Sequence, residues 1–165
     1  MLTFRQYLDE ASRSSIDKTK VQKVLEDLIN DSDVIVDVSR NIITFGFKSV
    51  NKKIESQFDG DYSLNSDWHK DSKFVDFIIS KQKKIYDILK KNESKLLDEL
   101  QLSTIKYMPN QLTPEHVGYM YMVEFKTGNG EVVRKDAKYD KQYLEGKYGA
   151  DPYLRKIIDW SVVNA

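Results

Sequence analysis

The segment Glu124-Phe125-Lys126 contains two residues that could take part in catalysis, a glutamate and a lysine. Side chains of a β-strand alternate between the two faces of the sheet, so the Glu124 carboxylate and the Lys126 amine are expected on the same face. A carboxylate can bind a divalent cation, and a neighbouring amine can position or activate the water that attacks the substrate. The spacing thus places a carboxylate and an amine together on one face of the sheet.

The same segment resembles the catalytic motif of metal-dependent nucleases of the restriction-endonuclease-like class. In that class an acid, usually an Asp after Pro, precedes a Glu-x-Lys strand and shares a magnesium ion with the Glu. Here Pro114-Glu115 precedes the strand, so Glu115 stands where Asp is usual, and the spacing is short. The resemblance implies a catalytic set of Glu115, Glu124 and Lys126 with magnesium as cofactor. The alternative is that Glu-x-Lys is the solvent-exposed face of a hairpin.

Other motifs for metal or cofactor binding are missing from the sequence. There is no cysteine, and the only two histidines, His69 and His116, are far apart, so a thiolate zinc site is excluded and both are expected to be ordinary surface or loop residues. Gly128 and Gly130 fall in a predicted hairpin turn instead of a strand-to-helix junction, which argues against a phosphate-binding loop. Apart from the magnesium of the nuclease alternative, we expect no metal and no cofactor, and a non-enzymatic function is favoured.

Two hairpins and four or five helices are predicted to position these residues in one α+β domain. Runs of β-branched and aromatic residues predict hairpins from 34–38 with 42–47 and from 118–125 with 131–134. Apolar residues at helical spacing or capping signals predict helices over 17–30, 72–92, 93–101, 139–146 and 151–163. Residues 55–72 are polar and rich in turn formers, so a long loop is expected there.

The strand before Lys126 carries a pair of tyrosines that are candidates for a partner surface. Alternation places Tyr119 and Tyr121 on one face and Met120 and Met122 on the other. A tyrosine combines apolar area with a polar tip, which suits protein binding if that face is open to solvent. Burial of the same face in the core is the favoured interpretation.

Composition excludes several classes of function. The 165 residues contain 26 basic and 26 acidic side chains, so the neutral chain has no overall attraction for nucleic acid or for an anionic membrane. Hydrophobic residues make up 40% of the sequence, which is enough for a core, yet no stretch approaches the length of a membrane span. A protein without secretory signal or cysteine is expected in a reducing compartment, with protein partners and without membrane or nucleic-acid partners.

The N-terminal segment MLTFRQYLDEA is short and amphipathic. Phe4, Tyr7, Leu8 and Ala11 share one face of a helix. Thr3 and Gln6 have the spacing of a capping box. A polar run follows before the next periodic stretch. The pattern predicts either a tag joined to the domain or a helix that docks its aromatic face onto it.

This segment is similar to the capsid-targeting sequence of internal head proteins in T-even-type tailed bacteriophages. Their order of Thr, aromatic, two mostly polar residues, aromatic, aliphatic, any residue, Glu and Ala is matched by Thr3, Phe4, Gln6, Tyr7, Leu8, Glu10 and Ala11. Leu2 departs from the Lys that is usual in the family. The resemblance implies targeting through Thr3, Phe4, Tyr7 and Leu8. It also implies cutting by the prohead protease between Glu10 and Ala11 within the motif Leu8-x-Glu10-Ala11.

The resemblance implies three segments and a function. Residues 1–11 are the targeting segment, 12–20 a linker and 21–165 the domain. The expected protein is carried inside the phage head by the prohead scaffold, processed, and delivered to the host cytoplasm. There it binds a host protein of defence or takeover. A nuclease and a virion structural or assembly factor are the alternatives.

Overall fold

The computed structural model describes residues 16–63, 65–107, 119–128, 146 and 151–163. Over these residues the chain forms five α-helices, a short 3-10 helix and four β-strands. The predicted α+β class and single small domain are confirmed. The residues of the targeting and cleavage motif, together with Glu115 and His116, lie outside the described residues.

Helix α1 (Lys18–Ile29) begins after Asp17, whose carboxylate accepts a hydrogen bond from the Lys20 N–H at 3.2 Å. Its buried residues recur every four positions and are Val21, Leu25 and Ile29. The helix ends at Asn30, whose left-handed conformation (φ 46°) turns the chain toward the first strand. Residues 18–20 therefore belong to this helix, in agreement with the helix predicted over 17–30.

Strands β1 (Val34–Ser39), β2 (Ile42–Phe47), β3 (Thr104–Tyr107) and β4 (Tyr121–Lys126) form one antiparallel sheet in the order β1-β2-β4-β3. The hairpin of β1 and β2 agrees with the sequence pattern, and Arg40 supplies the positive φ of 54° at its turn. The described partners of β4 are β2 and β3. The predicted return strand 131–134 and all but the last residue of the predicted helix 139–146 lie outside the described residues.

One face of the sheet is buried and the other is partly open. Alternate residues of each strand enter the core, as the period of two requires. The buried set comprises Val36, Val38, Ile43, Phe45, Phe47, Ile105, Tyr107, Tyr121, Val123 and Phe125. The intervening side chains are half-buried or exposed, including Glu124 and Lys126 on β4 and Ile35 on β1. A candidate site is therefore to be sought on the open face or at the edges, β1 and β3.

Two elements appear where the sequence does not predict them. Helix α2 (Lys48–Gln57) follows β2 directly, and the 3-10 helix Asp67–Lys70 interrupts the predicted loop over 55–72. The loop prediction is thus wrong for residues 55–57 and 67–70. Helix α2 buries only Val50 and Ile54, so its apolar pattern is too short to stand out from the polar sequence around it.

The remaining helices lie close to their predicted positions. Helices α3 (Ser72–Lys91), α4 (Glu93–Glu99) and α5 (Pro152–Val163) correspond to the predictions over 72–92, 93–101 and 151–163. Asp71 caps α3 and Asp151 caps α5, each by accepting a hydrogen bond from a first-turn N–H at 3.1 Å. None of the helices described is both long and apolar enough to cross a membrane.

Candidate functional site

Glu124 and Lys126 lie on the same face of β4, as their spacing predicts. The Lys126 Nζ is 3.8 Å from the Glu124 Oε1, and both side chains are partly exposed. Lys106 stands opposite Glu124 on β3. Within the described residues no group of three carboxylates or histidines can hold a metal ion. On this face Glu124 lies between Lys126 and Lys106, with Ile42 opposite it on β2, so a magnesium site here needs a carboxylate from another part of the chain.

The two tyrosines proposed as a partner surface contribute to the core. Tyr121 is only 5% exposed and its ring lies 6.4 Å from that of Phe45. Tyr119 is half-buried against Tyr62 and Trp68, at ring-centroid distances of 5.2 and 6.1 Å. The prediction of a partner surface at Tyr121 is corrected by this burial, because alternation directs Tyr121 to the face that the helices cover.

The Tyr121 hydroxyl is buried and has no hydrogen-bond partner within the described part of the chain. Burial raises the pKa of this hydroxyl well above its ordinary value. A buried hydroxyl without a partner is destabilising, so Tyr121→Phe should raise the free energy of unfolding by about 1 kcal/mol in urea denaturation. Tyr62→Phe is the matched control, because its hydroxyl donates to the Glu55 Oε1 at 3.2 Å near the surface. A larger loss from Tyr121→Phe than from Tyr62→Phe would contradict this expectation.

His69 is a structural contact and not the surface residue that its sequence context predicts. It is 5% exposed, and its Nδ1 lies 3.0 Å from the Asp151 Oδ2. Asp151 also caps α5, so one carboxylate joins the 3-10 helix to the C-terminal helix. The ring packs edge-on against Trp68. These contacts give His69 a role in holding two segments together.

An ion network fixes the turn between α1 and β1. The Lys84 Nζ is 2.6 Å from the Asp31 Oδ2, and the Lys81 Nζ is 3.0 Å from the Asp33 Oδ2. Asp33 also accepts hydrogen bonds from the Ser49 N–H at 2.7 Å and from the Ser49 hydroxyl at 2.6 Å. Both lysines come from α3, so the network ties that helix to the start of the sheet.

Beside this turn, a groove of about 480 Å³ separates helix α1 from the edge strand β1. Gln22, Glu26 and Ile29 line its helix side, and residues 34–36 line its strand side. The Ile35 side chain points to the open face of the sheet and is 40% exposed. The groove therefore follows the outer edge of β1, with a helix on one side and an exposed aliphatic residue on the other.

The hairpin pairing identifies the backbone groups that face this groove. The Lys48 N–H donates to the Asp33 C=O at 2.8 Å, so odd-numbered residues of β1 bond to β2 and even-numbered residues point outward. The Val34 N–H donates to the Asp31 C=O at 3.1 Å. The Val34 C=O and both groups of Val36 thus have no backbone partner among residues that the structure describes. Exposure falls along this edge, from 7% at Val36 to 1% at Val38, and the groove ends at Val36.

Two exposed charges stand at the groove. Glu26 on α1 accepts a hydrogen bond from the Gln22 Nε2 at 2.9 Å, and Lys48 follows the end of β2. Neither has an ion-pair partner in the described portions of the chain. The site thus combines strand-edge groups without a backbone partner, apolar surface, two exposed charges of opposite sign and the Asp31 carboxylate, which pairs with Lys84. Such a combination suits the binding of a peptide.

The sequence gives no direct signal for this groove. Its lining comes from α1, β1 and the start of α2, and the free groups are defined by the pairing of β1 with β2. The hydrophobic periodicity of the sequence predicts an amphipathic helix followed by a strand. It does not predict the space that separates them.

Comparison of the chain with protein-family models, with curated proteins and with solved structures gave no match. Function is therefore inferred from the residues and the geometry.

Proposed function

We propose that the protein is an internal head protein of a bacteriophage, carried in the capsid and delivered to the host with the DNA. The observation that carries this proposal is the N-terminal residue order of Thr3, Phe4, Gln6, Tyr7, Leu8, Glu10 and Ala11. In the proposal, residues 1–11 direct the chain to the prohead scaffold. The prohead protease then cuts between Glu10 and Ala11, and the domain reaches the host cytoplasm.

In the host the domain acts by binding a protein of defence or takeover. The groove beside β1 supports a binding function, because it offers unpaired hydrogen-bonding groups next to exposed apolar surface. The position of the cut is compatible with an intact domain, since the first described helix begins only at Lys18.

Attachment of residues 1–11 to a fluorescent protein tests the targeting step. In cells infected with a T-even-type phage, this reporter should enter capsids and start at Ala11 when purified particles are analysed by mass spectrometry. Glu10→Gln should leave entry intact and prevent the cut, because the protease recognises the Glu. Phe4→Asp with Tyr7→Asp should prevent entry, because charges replace the aromatic face. Entry no greater than that of an untagged reporter would contradict the proposal.

A metal-dependent nuclease is a second candidate, favoured by the 3.8 Å contact of Glu124 with Lys126 on one sheet face. In that case Glu115 and Glu124 would bind magnesium and Lys126 would position water. Glu124→Ala should then abolish magnesium-dependent cleavage of plasmid DNA, and no cleavage by the intact protein would remove this candidate. A structural or assembly factor of the virion would instead show stoichiometric copies at fixed positions in the particle.

A further inference from the structure

The open part of the β1 edge is short. Three backbone groups, the Val34 C=O and the N–H and C=O of Val36, face the groove without a backbone partner among the described residues. Proteins usually protect such an edge, because an exposed edge pairs with any strand that reaches it. Here Val34 and Val36 line the groove, with Val36 7% exposed, whereas Val38 is 1% exposed and does not line it. An open edge that lies inside a groove is suited to one short, extended segment.

We infer that the groove binds an extended peptide segment of another protein, which adds to β1 as a short antiparallel strand. The inference rests on the proposed binding function and names the chemistry of its partner. An antiparallel strand matches the rest of the sheet and uses all three free groups: the residue opposite Val36 exchanges two hydrogen bonds with it, and the residue opposite Val34 donates to the Val34 C=O.

The lining of the groove predicts the order of side chains in this segment. Successive side chains of the added strand alternate between the helix side and the open face. The residue opposite Val36 faces Glu26 and is expected to be basic. The residues opposite Ile35 and Val34 lie beside Ile35 and Ile29 and are expected to be aliphatic. The residue opposite Asp33 lies next to Asp33 itself, which separates it from Lys48, so no acidic preference is expected there. The segment therefore reads basic, aliphatic, aliphatic from its N-terminus.

A second copy of this chain fits the edge less well. Pairing of two β1 strands would extend over the six residues of each strand. The groove ends at Val36 and Val38 is only 1% exposed, so less of the edge is accessible than such a pairing requires. A segment of about four residues needs only the open part.

The test selects peptides from a phage-displayed random hexapeptide library with the full-length protein as bait. The enriched peptides should carry the order basic, aliphatic, aliphatic. The strongest of them, as a synthetic peptide, should shift the Val36 amide resonance in an NMR titration. Glu26→Lys should change the preferred first side chain of the segment from basic to acidic, because the charge that it faces is reversed.

Val36→Pro is the decisive variant and Val36→Ala its control. Proline removes the outward N–H of Val36 and leaves the inward hydrogen bonds of β1 to β2 intact, so the fold is retained. Alanine keeps the N–H and removes two methyl groups that proline would keep as ring carbons, so any loss from side-chain truncation is larger in the control. We expect Val36→Pro to weaken peptide binding about tenfold or more and Val36→Ala to weaken it about threefold or less. Urea denaturation of both variants checks that they are folded.

Three outcomes would overturn the inference. The first is that no peptide is enriched, and the second is that Val36→Pro binds the enriched peptide as well as Val36→Ala does. The third is a dimer in sedimentation equilibrium that Val36→Pro abolishes, which would assign the edge to a second copy. None of these outcomes affects the reporter test of residues 1–11, so failure of the groove and failure of capsid targeting are distinguished.

Discussion

Replacement of Trp68 by Ala is expected to lower the free energy of unfolding by about 3–5 kcal/mol, the usual cost of deleting a buried aromatic side chain. Trp68 is fully buried, and its ring lies edge-on to Phe74 and Tyr119 at 6.4 and 6.1 Å. Its indole N–H donates to the carbonyls of Tyr62 and Ser63, both at 3.3 Å. The substitution therefore leaves a cavity and removes the donor that holds the polar segment before α3.

Urea denaturation with Trp68→Phe as the matched variant checks this prediction. Phenylalanine keeps most of the ring volume and loses the N–H, so a loss of about 1–2 kcal/mol is expected. If Trp68→Ala does not fold, the intermediate stability of Trp68→Phe still tests the packing. A loss below about 1 kcal/mol for Trp68→Ala would show that residues 58–70 do not pack as described.

Replacement of Asp33 by Ala is expected to lower the free energy of unfolding by about 2–3 kcal/mol. One carboxylate accepts two hydrogen bonds from Ser49 in the first turn of α2 and pairs with Lys81 of α3. The substitution removes a helix cap and an ion pair together. Asp17→Ala is the control, because Asp17 caps α1 with a single exposed hydrogen bond and should cost about 1 kcal/mol or less.

Ionisation of Asp33 is expected to make the stability of the protein depend on pH. Burial raises the pKa of Asp33, but hydrogen bonds from Ser49 and Lys81 outweigh it and hold the pKa below its ordinary value of 3.8. A carboxyl group with a depressed pKa in the folded state stabilises the protein above its unfolded pKa. This contribution is lost as the pH falls from about 3.8 through the folded pKa. Between pH 5 and pH 2 the wild type should therefore lose more stability than Asp33→Ala. Equal losses in the two proteins would contradict the assignment.

Local periodicity predicted the elements that stabilise themselves through long apolar faces. Helices α1 and α3 and the hairpin of β1 and β2 follow directly from their patterns. Helix α2 was missed because it buries only two side chains and its N-terminus is capped by Asp33, which is 16 residues from Ser49 in sequence. Strand β3 was missed because it has only four residues and pairs with β4, which begins at Tyr121. Interactions between distant residues define both elements.

The candidate sites also differ in how far the sequence predicts them. The common face of Glu124 and Lys126 follows from alternation along one strand, so it was predictable. The groove depends on the distance between α1 and β1 and on which residues of β1 bond to β2. Local sequence patterns predict neither of these. The proposed targeting segment is known from its residues alone, because residues 1–15 lie outside those that the structure describes.

Under the central proposal the chain is encoded by a bacteriophage, and mass spectrometry of that phage's purified virions tests the proposal most directly. The account predicts that the protein is present and that its N-terminal peptide begins at Ala11, with no peptide from residues 1–10. Absence of the protein from the virion, or a protein in the virion that still begins at Met1, would contradict it.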